Sequence, residues 1–163
     1  MCKDVTLSQM ASVRSAVPQD LEFVVLWVRT PHECERWAGA QVAFPIDLPS
    51  LHSAIGFTPQ NSYVLADGDG AVIAFGQILD KPDGRQHLAR FIVSPDARRR
   101  GNGRAFLAEL LHRATADRIS LNVHRDNTAA IALYAAAGFE DAERPAGQSG
   151  SLGSRYMERQ RSR

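Results

Sequence analysis

The stretch VSPDARRRGNGRAFLAELL, residues 93–111, closes an apolar run at Pro95 and opens a helical pattern a few residues later. A run of arginines and two glycines, Gly101 and Gly103, separates the run from the helix. Backbone N–H groups at a helix N-terminus lack partners and carry partial positive charge, and glycines let an anion approach them. The stretch therefore predicts a phosphate-binding loop built from the main-chain amides of residues 98–104.

Side chains within this loop add charge and hydrogen-bonding groups that a diphosphate can use. They belong to Arg98, Arg99, Arg100, Asn102 and Arg104. The net charge of the whole chain is only +1, so the arginines are a local feature that needs a local ligand.

Helix and strand patterns alternate on the C-terminal side of the loop. Apolar residues follow it at helical spacing: Phe106, Leu107, Leu110, Leu111 and Ala114. The run RISLNVHR, residues 118–125, is typical of a strand, and a helix between two neighbouring strands predicts a right-handed parallel crossover. The alanine-rich stretch at residues 127–139 predicts another helix that Gly138 ends. A Gly/Ser-rich loop then joins two strands in the tail.

The N-terminal side of the loop completes the predicted fold. Residues 61–95 contain three apolar runs separated by DGDG and KPDGR, a pattern typical of an antiparallel meander. A short strand over residues 12–17 and three helical patterns precede it. The fold class predicted is α/β, with a mixed, mostly antiparallel twisted sheet flanked by helices. We expect one domain over residues 10–163, preceded by a flexible extension over residues 1–9.

Composition excludes several classes of protein. The chain has 163 residues, of which 44% are hydrophobic and 23% are charged, as in an ordinary globular domain. Two cysteines cannot form a disulfide framework, and no apolar stretch resembles a signal peptide or a membrane span. We therefore expect a cytoplasmic protein that binds neither membrane nor nucleic acid.

Two common phosphate-binding motifs are absent from the loop. The loop lacks the Lys-Ser/Thr of a P-loop, and Phe106 occupies the position of the third glycine in a dinucleotide fingerprint. The remaining pattern is Arg/Gln-x-x-Gly-x-Gly/Ala, filled by Arg98, Gly101 and Gly103. A second block, NVHRDNTAAIALYAAAGF at residues 122–139, follows at matching distance. From residue 12 to residue 139 the chain resembles the GNAT superfamily of acyl-CoA-dependent N-acetyltransferases.

The resemblance implies acetyl-CoA as cofactor and assigns roles to residues of both blocks. It implies that the loop grips the coenzyme A diphosphate and that the thioester lies beside Phe91, Ile92 and Val93. An amide there, that of Val93 above all, would stabilise the developing oxyanion. Tyr134 is implied as the general acid, against the alternative of a packing tyrosine. The second block adds coenzyme contacts at Asn127, Ala130, Leu133 and Tyr134, although Asn127 also suits a helix N-cap.

The proton acceptor and the acceptor pocket are less defined. Many relatives carry a glutamate on the strand before the loop, but Ala89 or its neighbour Arg90 stands at the matching place. A chain of waters, His87, His124 or Glu33 could take the proton instead. Trp37 and Phe44 could wall an apolar acceptor pocket together with Glu33, or could simply belong to the core. His32 and Cys34 alone are too few ligands for a metal site, and none is expected.

Three functions remain open from the sequence. The first is an N-acetyltransferase that acts on a primary amine of a small molecule or a protein, as a monomer or a homodimer. The second is a non-catalytic sensor domain that binds acyl-CoA, which the missing glutamate leaves open. The third is a nucleic-acid-binding module that uses the arginine loop, which the balanced net charge disfavours.

Overall fold

A seven-stranded mixed sheet forms the centre of the computed structural model, which describes residues 10–148, 150 and 153–161. The extension predicted for residues 1–9 lies outside the described residues. The strands are β1 (Ser12–Ser15), β2 (Ser62–Ala66), β3 (Val72–Asp80), β4 (Gln86–Val93), β5 (Arg118–His124), β6 (Glu140–Asp141) and β7 (Ser154–Gln160). The helices are α1 (Leu21–Trp27), α2 (Pro31–Ala38), α3 (Leu48–Ala54), α4 (Asn102–Arg113) and α5 (Thr128–Ala136).

The order of the strands confirms the predicted fold class. It runs β1-β2-β3-β4-β5-β7-β6, and every neighbouring pair is antiparallel except β4 and β5. Helix α4 makes the crossover between these two parallel strands. Within the described part of the chain, no helix is long and apolar enough to cross a bilayer.

Strands β4 and β5 pair only at their beginnings. Gln86, His87 and Leu88 pair with residues 119–121, and the register ends there. On its other side, β4 carries a bulge in which Arg90 and Phe91 lie opposite Gly76. Arg90 adopts a φ of 51°, a left-handed conformation that is strained for a residue with a side chain. The bulge bends the second half of β4 away from β5 and opens a gap between the two strands.

Two hydrophobic cores, one on each face of the sheet, hold β4 in place. Helices α4 and α5 cover one face, where Phe106 is fully buried and its ring stacks on Phe91 at a centroid distance of 5.3 Å. Helices α1, α2 and α3 cover the other face around Phe75 and Trp37. The opened strand is therefore packed from both sides, which fixes the gap as a permanent feature of the fold.

Phe106→Ala should lower the free energy of unfolding by roughly 3–5 kcal/mol, because the fully buried ring would leave a cavity beneath β4. Urea denaturation followed by circular dichroism measures this loss. Phe23→Ala is the matched control, since the Phe23 side chain on α1 is 51% exposed and its removal should cost less than about 0.5 kcal/mol. Equal losses for the two variants would contradict the packing described.

Candidate active site

The loop between β4 and α4 exposes a row of main-chain amides. A short 3₁₀ turn at Pro95–Ala97 leads to two left-handed residues, Arg99 with φ 62° and Gly101 with φ 82°. Successive backbone N–H groups in a turn that contains left-handed residues can form a concave surface for an anion. The N–H groups of residues 99–104 make no hydrogen bond within the described part of the chain. They are free to bind an anion at the start of α4.

Side chains of the loop divide into two roles. Arg98 Nε donates to the carbonyl oxygen of Val93 at 3.1 Å, and Asn102 Nδ2 donates to that of Ala97 at 2.9 Å, so both fix the loop. The arginines at 99, 100 and 104 are exposed and have no ion-pair partner among the described residues. Their guanidinium groups remain available to phosphate oxygens.

The end of β4 presents an amide to the gap. Ser94 N donates to the carbonyl oxygen of Ile73 on β3 at 2.8 Å. Amides of an antiparallel strand alternate in direction, so the N–H of Val93 points away from β3. On that side β5 no longer pairs with β4, because the pairing ended at Leu88. The Val93 amide therefore faces the open gap.

Tyr134 on α5 lies against the same segment of β4. Its ring makes edge contacts with Phe91 at 6.1 Å and with Phe139 at 5.9 Å between centroids. The residue is 6% exposed, and its hydroxyl makes no hydrogen bond with the described residues. Burial raises the pKa of the Tyr134 phenol above its ordinary value. The phenol therefore keeps its proton at neutral pH and has no internal acceptor for it.

Other residues of the second block lie at the same junction. A methyl group at Gly103 would lie 3.5 Å from Val93 Cγ2 and 3.7 Å from Leu133 Cδ2. The start of α4 and the middle of α5 therefore meet at the end of β4. Asn127 caps α5, since its side chain accepts from Ala130 N at 3.4 Å. The structure thus brings most predicted coenzyme residues together and shows Asn127 in the capping role that the sequence left open.

A cavity of about 680 Å³ opens at the bulge of β4 and extends between α2, the end of α3 and β5. Its walls include Trp37, Gln41, His87, Ala89, Arg90 and His124. Trp37 Nε1 donates to the carbonyl oxygen of Arg90 at 2.8 Å and so anchors the bulge to α2.

Two of the three residues predicted for the acceptor pocket do not reach this cavity. The carboxylate of Glu33 turns back to accept from Arg29 N at 2.6 Å, next to the start of α2. Phe44 lies beyond the end of α2 and is 37% exposed. Trp37 alone of the three is among the walls.

Candidate proton acceptors differ in their surroundings. His87 Nδ1 lies 2.8 Å from Ser120 Oγ, and burial together with nearby positive charge lowers the pKa of His87 to about 4. His124 Nδ1 lies 2.7 Å from Asp126 Oδ1. Ala89 carries no carboxylate at the strand position where the resemblance led us to look for one.

Sequence reasoning missed Glu35 as a residue of the cavity walls and gave no role to Arg90, which it named only as a neighbour of Ala89. Glu35 on α2 lines the cavity, whereas the sequence analysis predicted Glu33, two residues earlier. The guanidinium of Arg90 reaches across the cavity wall to Gln77 Oε1 at 2.9 Å and to Gln41 Oε1 at 2.7 Å. No local motif signals either placement, because both depend on the bulge and on the angle between α2 and the sheet.

The residues present fit coenzyme A. Unpaired amides and arginines at residues 98–104 suit a diphosphate, and the gap between β4 and β5 begins after Leu88, where the cavity is lined by Ala89 and Arg90. The apolar side chains of Phe91, Val93 and Leu133 border the junction and suit an uncharged chain between them.

Comparison with known proteins agrees with this geometry. Residues 25–139 match the model of the acetyltransferase (GNAT) family. Over 100 residues the chain is 37% identical to mycothiol acetyltransferase of Clavibacter sepedonicus, a match that covers 59% of this chain and 32% of that protein. The chain spans about a third of the length of the first curated relatives that it matches, since the shares are 32% and 36%.

Solved structures extend the likeness over nearly the whole chain. The ribosomal-protein-S18-alanine N-acetyltransferase from Escherichia coli is 26% identical, with a TM-score of 0.64 over 93% of this chain and 94% of that one. A phosphinothricin acetyltransferase from Sinorhizobium meliloti in complex with acetyl-CoA is 21% identical, with a TM-score of 0.70 over 93% and 89%. Loop, sheet and family model agree, and the chain belongs to the GNAT family of acetyltransferases, whose cofactor is acetyl-CoA.

Proposed function

We propose that this chain transfers the acetyl group of acetyl-CoA to a primary amine by direct attack of the amine. The observation that carries the proposal is the gap between β4 and β5: a cavity opens at the bulge of β4, and a loop of unpaired amides follows the end of the same strand. Donor and acceptor would meet there without a covalent intermediate on the protein.

Three parts of the chain would act on the donor. Acetyl-CoA supplies a thioester whose carbonyl carbon is open to attack. The amides and arginines of residues 98–104 bind its diphosphate, and the N–H of Val93 donates to the oxygen on which negative charge develops. Tyr134 Oη holds a proton that it can give to the departing thiolate, because its raised pKa keeps it protonated.

The amine must lose a proton, and no carboxylate at position 89 accepts it. His87 is a weak base, since its pKa is about 4. We propose instead that water in the cavity carries the proton to His124. Asp126 accepts from one nitrogen of its ring, and the other makes no hydrogen bond with the described residues.

Amines of small molecules and amines of proteins are both candidate acceptors. The Escherichia coli neighbour is described as acting on a ribosomal protein, and the Sinorhizobium meliloti neighbour as acting on phosphinothricin. An acyl-CoA sensor would bind the coenzyme without turnover, and a nucleic-acid module would bind oligonucleotides with a steep salt dependence. A cytoplasmic setting is still a prediction.

Gly101→Val should weaken acetyl-CoA binding by roughly 10- to 100-fold, the loss expected when one or two charge-assisted hydrogen bonds are blocked. A Cβ at Gly101 would meet no protein atom within 4 Å, so any loss of affinity would come from the ligand side or from backbone strain. Isothermal titration calorimetry measures the affinity.

Gly70→Val is the matched control for backbone strain. Gly70 has a φ of 84°, close to the 82° of Gly101, and a side chain there would also meet no protein atom. It lies in the turn between β2 and β3, so its replacement should leave coenzyme affinity unchanged. Wild-type affinity in Gly101→Val would refute the phosphate loop.

Tyr134→Phe should lower kcat by about 100-fold or more, the usual contribution of a positioned acid, while coenzyme affinity changes little. The ring contacts with Phe91 and Phe139 survive the change, so the loss isolates the hydroxyl. Release of free thiol at saturating amine reports kcat.

Tyr156→Phe is the control, because Tyr156 is also buried but its hydroxyl contacts Glu158 and Arg85, outside the gap. It should retain wild-type kcat. An unchanged kcat in Tyr134→Phe would remove Tyr134 from the mechanism.

A further inference from the structure

Arg90 is a largely buried cation whose partners are all neutral. Its Nη1 donates to Gln77 Oε1 at 2.9 Å and to the carbonyl oxygen of Ile55 at 3.4 Å, and its Nη2 donates to Gln41 Oε1 at 2.7 Å. Its Nε is buried without a hydrogen-bond partner. Among the described residues no carboxylate lies within ion-pair distance of this guanidinium.

A buried charge without a counterion is costly to keep in a folded protein. Burial lowers the pKa of Arg90, but an arginine stays protonated at neutral pH. The chain also holds this residue in a strained conformation, with a φ of 51°, and pins its carbonyl to Trp37. The positive charge is therefore fixed at the cavity wall, where a bound anion would compensate it.

Two more cations without carboxylate partners lie near this cavity, one in its wall and one bonded to wall residues. Lys81 belongs to its walls and forms no ion pair within the described residues. Arg144 Nη2 donates to Asn122 Oδ1 at 2.8 Å and to Ser154 Oγ at 3.0 Å, and both of these residues line the cavity.

Acidic groups at the walls do not balance these charges. The wall residue Arg36 is paired with Asp126 at 2.8 Å, so this pair adds nothing to the excess of positive charge. Glu35 is the only carboxylate among the described wall residues. Two wall cations, Arg90 and Lys81, therefore lie with one carboxylate at the cavity, and Arg144 is bonded to two further wall residues.

His87 provides an internal sign of this positive potential. Its pKa is lowered to about 4, first by burial and then by the charges of Lys81, Arg90 and Arg144. The same three cations thus act on one point of the cavity wall. Negative charge brought into the cavity would relieve this effect.

We propose that the acceptor is a small primary amine that also carries an oxyanion, with a carboxylate as the primary candidate, and that Arg90 binds this anion with help from Lys81 and Arg144. The inference rests on the proposed acetyl transfer and names the substrate class of that same site. The cavity volume of about 680 Å³ suits a small molecule. A second cationic amine would be repelled by the same charges, so polyamines are excluded.

Matched acceptors test the proposal by thiol release. Each set contains an amino acid, its carboxamide and the corresponding aminoalkylphosphonate, with short C-terminally amidated peptides as a fourth arm. We expect kcat/KM for the acid or the phosphonate to exceed that for the carboxamide by about 30-fold or more, as for a lost charge-assisted contact. The better of the two anions identifies the oxyanion. Carboxamides or peptides that react as well as the acids would overturn the proposal.

Arg90→Gln should remove most of that preference, because it should raise KM for the acid far more than KM for the carboxamide. Lys81→Gln, at a side chain that no internal hydrogen bond holds, should reduce the preference without risk to the bulge. Arg113→Gln is the control, because Arg113 lies on α4 over the Tyr63 ring, away from the cavity. An undiminished preference in both Arg90→Gln and Lys81→Gln would overturn the assignment.

Binding of products gives a readout that does not depend on turnover. With coenzyme A present, N-acetylglycine should bind and raise the pKa of His87 from about 4 toward its ordinary value in an NMR titration, whereas N-acetylglycinamide should not. Equal shifts, or no shift with either, would refute the anion site. If the wild-type chain bound no coenzyme A and turned over no amine of any set, the proposed function itself would be refuted.

Discussion

The early end of pairing between β4 and β5 is the constraint on which the rest of the site depends. Pairing stops at Leu88, and the second half of β4 then runs free of β5. One consequence is a main-chain amide at Val93 with no partner strand. Another is the cavity beneath α2, whose walls include Ala89 and Arg90 where β4 has left β5. Both sides of the proposed reaction therefore arise from a single departure from regular sheet structure.

The energy that maintains this departure comes from packing on both faces. The ring of Phe106 stacks on Phe91 from one side, and Trp37 binds the carbonyl of Arg90 from the other. A bulge costs ladder hydrogen bonds, and a left-handed arginine adds backbone strain of about 1 kcal/mol or more. The buried apolar surface of two helical layers offsets such a cost, so the site stays open before any ligand arrives.

Features set by local chemistry could be predicted from the sequence, and features set by the bulge could not. Glycine spacing and the helix start at Asn102 are local, and the predicted anion loop has the free amides it requires. Glu33 and Phe44 looked suitable for the acceptor pocket, but a hydrogen bond to Arg29 and exposure beyond α2 keep them outside it. Arg90 stood out only as a departure from a pattern. Its proposed role depends on the bulge of β4, and the spacing of residues in the sequence does not predict that bulge.

NMR mapping of the main-chain amides on addition of acetyl-CoA tests the central claim most directly. The account predicts that the largest chemical-shift changes occur at residue 93 and at residues 99–104, since these N–H groups have no acceptor in the free protein. Amides of β1 and of the turn between β2 and β3 should stay unchanged. Saturable changes confined to other surfaces, with the loop amides unmoved, would contradict the account.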